Sequence, residues 1–207
     1  MRAALLEGRS VVEIASALAG HAEGRSRAKG KIGGLIEAAL GASGVHSEVD
    51  FPTLGVELKT VPVSDSGRVL EATFVCTFSL LQAEYASWVD SHIRHKLARV
   101  LWLPIIKSVG SPSRVGRAVF WEPTQEQERV LAADFDEIVG LVGAGKVECL
   151  NGRVGRWLQA RPKARNGGVR TSAFGQDGEK LSTIPRAFYL RQRFTQAIVA
   201  DPAAVPP

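Results

Sequence analysis

Two acidic residues and a lysine in the stretch VDFPTLGVELKT have the types and the spacing of a metal-dependent hydrolytic site. If VELKTV is a β-strand, its side chains alternate between faces, so Glu57 and Lys59 share one face while Val56 and Leu58 point into the core. Asp50 lies seven residues before Glu57, with a proline and a glycine between them. A turn of that length can place the two carboxylates side by side.

Carboxylates held together without a cation repel each other, so Asp50 and Glu57 favour a divalent metal with oxygen ligands. We expect Mg²⁺, with Mn²⁺ able to substitute. Such a metal lowers the pKa of a bound water, and Lys59 can orient that water or stabilise developing negative charge, which is the chemistry of phosphodiester hydrolysis. The alternative is that Glu57 and Lys59 form an ordinary ion pair on a solvated sheet.

Three further polar features accompany this motif. Glu37 falls off the apolar stripe of a helix predicted over 32–40, and is either a third carboxylate facing a cleft or a solvated surface residue. The run SHIRHKLAR, which contains Lys96, is either a polar lead into the following strand or a phosphate clamp. The cluster RSRAKGK can hold backbone phosphates, because Gly30 permits a close approach.

Basic charge is concentrated in the last quarter of the chain. The whole sequence has 26 Lys and Arg against 21 Asp and Glu, a net charge of +5. Residues 151–193 carry ten basic and two acidic side chains, whereas residues 1–150 carry 16 basic and 18 acidic ones. A solvated face usually mixes both signs, so this segment favours contact with nucleic acid over a merely basic surface.

The elements that must position these groups alternate between helix and strand, which predicts a mixed α/β protein with a sheet flanked by helices. Capping boxes at Ser10/Glu13 and Thr124/Gln127 predict two helices, and a third is expected from Phe194. Four stretches are predicted to be strands of one sheet: GVELKTVPV, LEATFVCTFSL, RVLWLPII and AVFW. Two shorter strands are expected in the basic quarter: GRWLQARP and AFYLR.

Length and composition exclude several classes of protein. At 207 residues and 45% hydrophobic, the chain is expected to fold as a globular protein, and no apolar run reaches the ~18 residues of a membrane span. The N-terminus lacks the apolar stretch of a signal peptide, so we expect a cytoplasmic protein without a membrane partner. Cys76 and Cys149 stand alone in apolar segments, which predicts two buried thiols and neither zinc nor a disulfide.

Six ordered blocks, spread over residues 8–198, resemble the MutH family of strand-nicking endonucleases of methyl-directed mismatch repair, relatives of Sau-type restriction enzymes that also cut at GATC. The blocks are KGKIGGLIEAALGA, VDFPTLGVELKTVPV, LEATFVCTFSLL, SHIRHKLARVLWLP, QARPKA and IPRAFYLRQRFTQA. The resemblance implies a restriction-endonuclease-like fold. We expect one domain over 1–207, with a helical N-terminal arm at 1–45, a catalytic core at 46–150 and a basic DNA-reading part at 151–200.

The resemblance also assigns an active site. It implies that Asp50 and Glu57 bind the metal, that Lys59 assists the attacking water, and that Glu37 and Lys96 belong to the same site.

The resemblance further implies a set of DNA contacts. Lys29 and Gly30 would touch DNA near the cut, Arg161 and Pro162 would lie on the segment that reads GATC, and Tyr189 would help to sense adenine methylation. An arginine fork suits the acceptor edge of guanine, and a methyl group on adenine N6 would crowd a closely packed aromatic ring. The alternative for Tyr189 is a core position, since alternation places one of two adjacent aromatic residues inside.

The resulting hypothesis is a Mg²⁺-dependent endonuclease that nicks the unmethylated strand of hemimethylated GATC sites. A single active site fits a monomer that acts on double-stranded DNA, and the resemblance implies that the partner MutL, which MutS recruits at a mismatch, stimulates it. Two alternatives remain: a GATC-specific restriction endonuclease that cuts both strands, and a GATC-binding module without catalytic activity.

Overall fold

Helices form where the sequence supplies caps and apolar stripes, in the residues that the computed structural model describes, 2–19, 31–42, 48–164 and 168–206. The α-helices found there are α1 (Val11–Ala19), α2 (Lys31–Leu40), α3 (His92–Leu97), α4 (Gln125–Gly143) and α5 (Gln192–Ala200). Short 3-10 helices cover Arg2–Leu6, Pro52–Leu54, Leu80–Tyr85 and Val147–Cys149. Both predicted capping boxes are confirmed, because Ser10 with Glu13 and Thr124 with Gln127 exchange side-chain to backbone hydrogen bonds.

The strands form a mixed sheet and two antiparallel sheets. They are β1 (Glu57–Ser64), β2 (Thr73–Phe78), β3 (Val100–Lys107), β4 (Arg114–Val115), β5 (Val119–Trp121), β6 (Leu158–Pro162), β7 (Thr171–Phe174), β8 (Lys180–Thr183) and β9 (Arg186–Leu190). In the mixed sheet β1 runs parallel to β3, with Glu57 opposite Val100, and β4 and β5 pair antiparallel to β3. A mixed α/β protein with a mixed sheet was predicted, and this is confirmed.

The prediction that the first four strands share one sheet is wrong. β2 pairs antiparallel with β9, with Thr73 opposite Leu190, and β9 also pairs with β6. The pair β7 and β8 forms a separate hairpin around the turn at Gly178, which has a positive φ of 77°. Apolar alternation shows which residues form a strand, but the choice of a partner far along the chain is made by packing.

Within the run SHIRHKLAR, His92–Leu97 form helix α3, so the alternative of a polar lead into a strand is wrong, and the alternative of a phosphate clamp stays a prediction. The Ser91 hydroxyl accepts a hydrogen bond of 3.1 Å from the backbone N–H of Arg94, which caps the start of the helix. Ile93 and Leu97, one helical turn apart, are both buried.

Among the described residues, no helix has the length and apolar character that crossing a membrane requires.

Contacts divide the chain into two compact units. The first comprises residues 1–71, 98–122 and 195–205, and the second comprises 72–97, 123–194 and 206–207. The mixed sheet, α1 and α2 belong to the first unit, and the other two sheets, α3 and α4 belong to the second. The expectation of one domain with three consecutive parts stays a prediction.

Each unit has its own apolar core. In the first unit Ile36 of α2 packs with Val56 and Leu58, as the alternation of β1 predicted. In the second unit Phe135 of α4 stacks on Phe188 of β9, with ring centroids 5.6 Å apart. 

The two cysteines differ in exposure. Cys76 is buried, but Cys149 is exposed, which corrects the prediction of two buried thiols. Cys149 ends a 3-10 helix, and the apolar neighbours that suggested burial, Val147 and Leu150, are themselves buried.

Candidate nuclease site

A tight turn carries the chain from Asp50 to the start of β1. Phe51 and Val56 exchange backbone hydrogen bonds of 2.9 and 3.2 Å across the 3-10 helix Pro52–Leu54. Gly55 closes this helix with a φ of 62°, a left-handed conformation that glycine adopts without steric cost. The turn predicted between the two carboxylates is therefore present.

The carboxylate of Asp50 is fastened to the strand itself. Its Oδ2 atom accepts a hydrogen bond of 2.9 Å from the backbone N–H of Leu58, the residue between Glu57 and Lys59. Asp50 is half-buried. The turn thus fixes one carboxylate beside the backbone of the strand that carries the other carboxylate and the amine.

Glu57 and Lys59 form an ion pair within the folded protein. Lys59 Nζ lies 2.7 Å from Glu57 Oε1, and the two side chains are only 10% and 4% exposed. The alternative of an ion pair on a solvated face is therefore excluded by burial, although the pair itself exists. Removing two charges from water is costly, so a buried pair beside a further carboxylate indicates a site with a chemical task.

Arg99 braces the turn, a role that the sequence pattern did not signal. Its carbonyl accepts a hydrogen bond of 3.0 Å from the backbone N–H of Glu57. Its guanidinium donates to the carbonyl of Leu54 at 3.1 Å and to the carboxylate of Glu122. One residue next to β3 therefore holds both the turn and the first residue of β1.

Glu37 lies on α2 in the same unit and is half-buried. Gly33, one turn earlier on the helix, faces Thr60 of β1, since a Cβ atom there would lie in ordinary contact with the Thr60 hydroxyl at 3.6 Å. Residues four apart share a helix face, so Glu37 is on the side of α2 that faces β1. Its part in the active site stays a prediction.

The donor atoms at the start of β1 suit a hard divalent cation. Asp50 and Glu57 supply carboxylate oxygens, which Mg²⁺ prefers, and both are held by the turn and the strand. The described ranges hold no group of three or more His, Cys, Asp or Glu side chains, and Mg²⁺ is usually held by one or two carboxylates together with waters and substrate phosphates. The residues that fit the metal are therefore this pair of carboxylates.

Lys96 lies on α3 in the second unit and is half-buried. The same helix is tied to α4 by Arg94, whose Nε donates to Glu128 Oε1 at 2.6 Å. This hydrogen bond lowers the pKa of the Glu128 carboxyl, against the opposing effect of burial. The structure thus fixes the helix that carries Lys96, and the catalytic role of Lys96 stays a prediction.

The residues expected to read DNA lie together on β6 and β9. Arg161 and Pro162 are exposed, and the Arg161 guanidinium lies 5.6 Å from the ring centre of Tyr189. Phe188 is 3% exposed and fills the core, whereas Tyr189 is half-buried on the opposite face of the strand. The alternative of a core position for Tyr189 is therefore wrong.

Sequence reasoning missed a second cation on the same face. Lys163 Nζ lies 3.9 Å from the ring centre of Phe74, and Phe74 meets Tyr189 edge to face at 5.6 Å. This contact depends on the pairing of β2 with β9, which are far apart in the chain, so no local sequence pattern predicts it.

Comparison with known proteins identifies the family. Residues 41–134 match the family model described as "DNA mismatch repair enzyme MutH". The DNA mismatch repair protein MutH of Escherichia coli O157:H7 (strain EC4115 / EHEC) is 46% identical over 201 residues, which cover 94% of this chain and 87% of the relative. The proteins of the same name from Escherichia coli O139:H28 (strain E24377A / ETEC) and Shigella dysenteriae serotype 1 (strain Sd197) match to the same extent. The chain belongs to the MutH family.

The similarity to MutH proteins spans both units. The family model covers the turn and strand with Asp50, Glu57 and Lys59, as well as Lys96. The basic quarter lies beyond residue 134, where the chain is included only in the match to the MutH relatives. Two further predicted DNA contacts, at Lys29 and Gly30, fall outside the described residues.

Proposed function

We propose that this MutH-family protein is a Mg²⁺-dependent endonuclease of DNA mismatch repair that nicks the unmethylated strand of hemimethylated GATC sites. One observation carries the proposal: Glu57 and Lys59 form a buried ion pair, and Asp50 is hydrogen-bonded to the backbone of Leu58, the residue between them. The turn that carries Asp50 leads into β1 of the mixed sheet, and this arrangement also supports a restriction-endonuclease-like fold.

The residues of the chain have separate tasks in this proposal. Asp50 and Glu57 would hold Mg²⁺ or Mn²⁺, which would supply a water of lowered pKa and offset charge on the phosphate. Glu57 also accepts a hydrogen bond from Lys59, which keeps the amine pointed at the start of the strand. Lys59 would then donate to the attacking water or to the phosphate oxygen on which charge develops. Glu37 and Lys96 would complete the site.

The exposed face of β6 and β9 would read the sequence. The guanidinium fork of Arg161 suits the O6 and N7 acceptors of guanine, and Tyr189 beside it would be crowded by a methyl group on adenine. Pro162, Lys29 and Gly30 would contact DNA near the recognition site. One methyl group would thereby decide whether a strand is cut.

A single motif of Asp50, Glu57 and Lys59 per chain supports a monomer that cuts one strand at a time. We further propose that MutL, recruited through MutS at a mismatch, stimulates the activity. An enzyme that acts on bacterial DNA would work in the cytoplasm.

The test uses one plasmid in unmethylated, hemimethylated and fully methylated forms, incubated with the protein and Mg²⁺. We expect nicked circles from the first two forms and intact plasmid from the third. A plasmid in which every GATC is altered is the matched control. Linear product without an intermediate nicked form would identify a restriction enzyme instead, and binding without cleavage would identify an inactive module.

A further inference from the structure

A buried carboxylate fixes the loop that leads into β6. Asp134 of α4 is 5% exposed and accepts hydrogen bonds from the backbone N–H groups of Arg156, Trp157 and Leu158, at 2.6, 2.6 and 2.8 Å. Three backbone donors on one carboxylate leave this segment little freedom to move.

The other side of the loop is held by a turn at Gly155 and a guanidinium. Arg191 donates to the carbonyls of Val154 and Gly155, both at 2.8 Å from Nη2. Gly155 has a φ of 76°, and a Cβ atom there would lie 2.0 Å from the carbonyl oxygen of Leu158. The loop can therefore pack this tightly only with glycine at position 155. The side chains of the loop, including Arg156, are thus attached to a rigid backbone.

Two arginines from different elements converge on the indole ring that this loop presents. The guanidinium carbons of Arg156 and Arg193 lie 4.9 and 5.4 Å from the ring centre of Trp157, and Phe194 stacks on the same ring at 4.7 Å. Arg193 also donates to the carbonyl of Arg156 at 3.1 Å. Cation–π contact and this hydrogen bond hold two positive charges close together despite their repulsion.

These two charges are directed to solvent rather than neutralised. Arg156 and Arg193 are exposed, while Trp157 beneath them is 7% exposed. In the described part of the chain, neither arginine has a carboxylate within ion-pair distance. A pair of fixed, exposed guanidinium groups without an acidic partner is suited to an anion such as a phosphodiester.

The arginine pair lies on the same ladder as the residues expected to read DNA. The backbone N–H of Arg191 donates to the carbonyl of Trp157, which continues the pairing of β9 with β6. Trp157 is four residues before Arg161, so the two positions are about 13 Å apart along the strand. A four-base-pair site is about 14 Å long, which puts the arginine pair at its edge or beyond it.

We propose that Arg156 and Arg193, mounted on Trp157, bind backbone phosphates of the duplex that flank the recognition site. This inference rests on the proposed function, because it assumes that the face with Arg161 meets GATC. DNA is favoured over an acidic protein partner because the pair lies along β6 from Arg161, which is proposed to read the sequence. The contact adds affinity without adding sequence preference.

The test measures DNA binding by fluorescence anisotropy as a function of salt, without added metal, for the double variant Arg156→Gln/Arg193→Gln. We expect the slope of log affinity against log salt to fall by about two, with affinity reduced up to about tenfold. The variant Arg156→Lys/Arg193→Lys should keep most of the slope. Arg129→Gln, an exposed arginine of α4, is the matched control and should behave as wild type.

A scan with neutral methylphosphonate linkages then locates the contact. One or two substitutions outside GATC should weaken binding of the wild type but leave the double variant unaffected. An unchanged salt slope in a double variant with a normal unfolding temperature would overturn the inference. A variant that binds DNA normally and loses only its stimulation by a partner protein would also overturn it. Plasmid nicking by the wild type is scored separately, so failure of the proposed function is distinguishable from failure of this contact.

Discussion

Lys59 Nζ lies 2.7 Å from Glu57 Oε1, with both side chains at least nine-tenths buried. The free-energy cost of burying two charges is offset only by their attraction to each other. Loss of either partner therefore leaves the other charge buried and uncompensated. The same two residues therefore govern both the stability of the start of β1 and the chemistry proposed there. Conservative and non-conservative substitutions can separate these effects.

Replacement of the carboxylate should abolish cleavage without abolishing DNA binding. Glu57→Gln keeps an oxygen that can accept from Lys59 but loses the charge needed for a metal, so Mg²⁺-dependent nicking should fall more than about 100-fold. Glu57→Ala should in addition lower the free energy of unfolding by about 3 kcal/mol. Plasmid nicking and urea denaturation measure the two effects, and a fully active Glu57→Gln enzyme would contradict the catalytic assignment.

Asp50 allows the same separation at the turn. In Asp50→Asn the side-chain oxygen can still accept from the backbone N–H of Leu58, so stability should stay within about 0.5 kcal/mol of wild type while nicking is lost. Asp50→Ala removes the acceptor and should cost a further ~1 kcal/mol. Should both variants lose stability equally and remain active, Asp50 would be a structural residue only.

Arg161 should contribute to sequence choice rather than to the chemical step. Arg161→Ala should reduce the preference for GATC over sites with one altered base pair by about 1 to 3 kcal/mol, because a bidentate contact to guanine is lost. The ratio of kcat/KM on matched and altered duplexes measures this preference. The variant Arg156→Gln, on the same ladder but proposed to bind phosphate, is the control that should keep the ratio.

Asp134 should be among the largest single contributors to stability in the second unit. Asp134→Ala leaves three backbone N–H groups without their acceptor, which should lower the free energy of unfolding by about 3 kcal/mol or more. Glu137→Ala, which loses one hydrogen bond from Gly155 nearer the surface, should cost about 1 kcal/mol. Equal losses in the two variants, measured in urea, would argue against the buried carboxylate as the anchor of the loop.

The ion pair of Arg94 with Glu128 should make part of the stability dependent on pH. Because Arg94 lowers the pKa of Glu128 in the folded state, the stabilisation is present above the unfolded pKa and is lost as pH falls through the folded pKa. Titration of Glu128 by NMR should give a pKa below its ordinary value, and Arg94→Gln should raise it. A pKa that is the same in both proteins would contradict the causal role of Arg94.

Local patterns predicted most of the elements and the central motif. The capping boxes of α1 and α4, the turn after Asp50 and the inward side chains of β1 follow from contacts between residues near in sequence. Helix α3 was not predicted, because a serine cap and two apolar residues are a weak signal in a short basic run. The contact of Arg99 with Leu54 and that of Lys163 with Phe74 were missed because the partners are distant in the chain.

The sequence by itself determined the turn after Asp50, the spacing of Glu57 and Lys59, and the excess of basic residues in the last quarter of the chain. Each of these depends on residue type and on neighbours within a few positions. Only the tertiary structure decided that the ion pair is buried, that β2 joins β9, and that Phe188 rather than Tyr189 lies inside. These outcomes depend on which distant surfaces pack together. The energy of that packing is shared over many side chains, so no short pattern reports it.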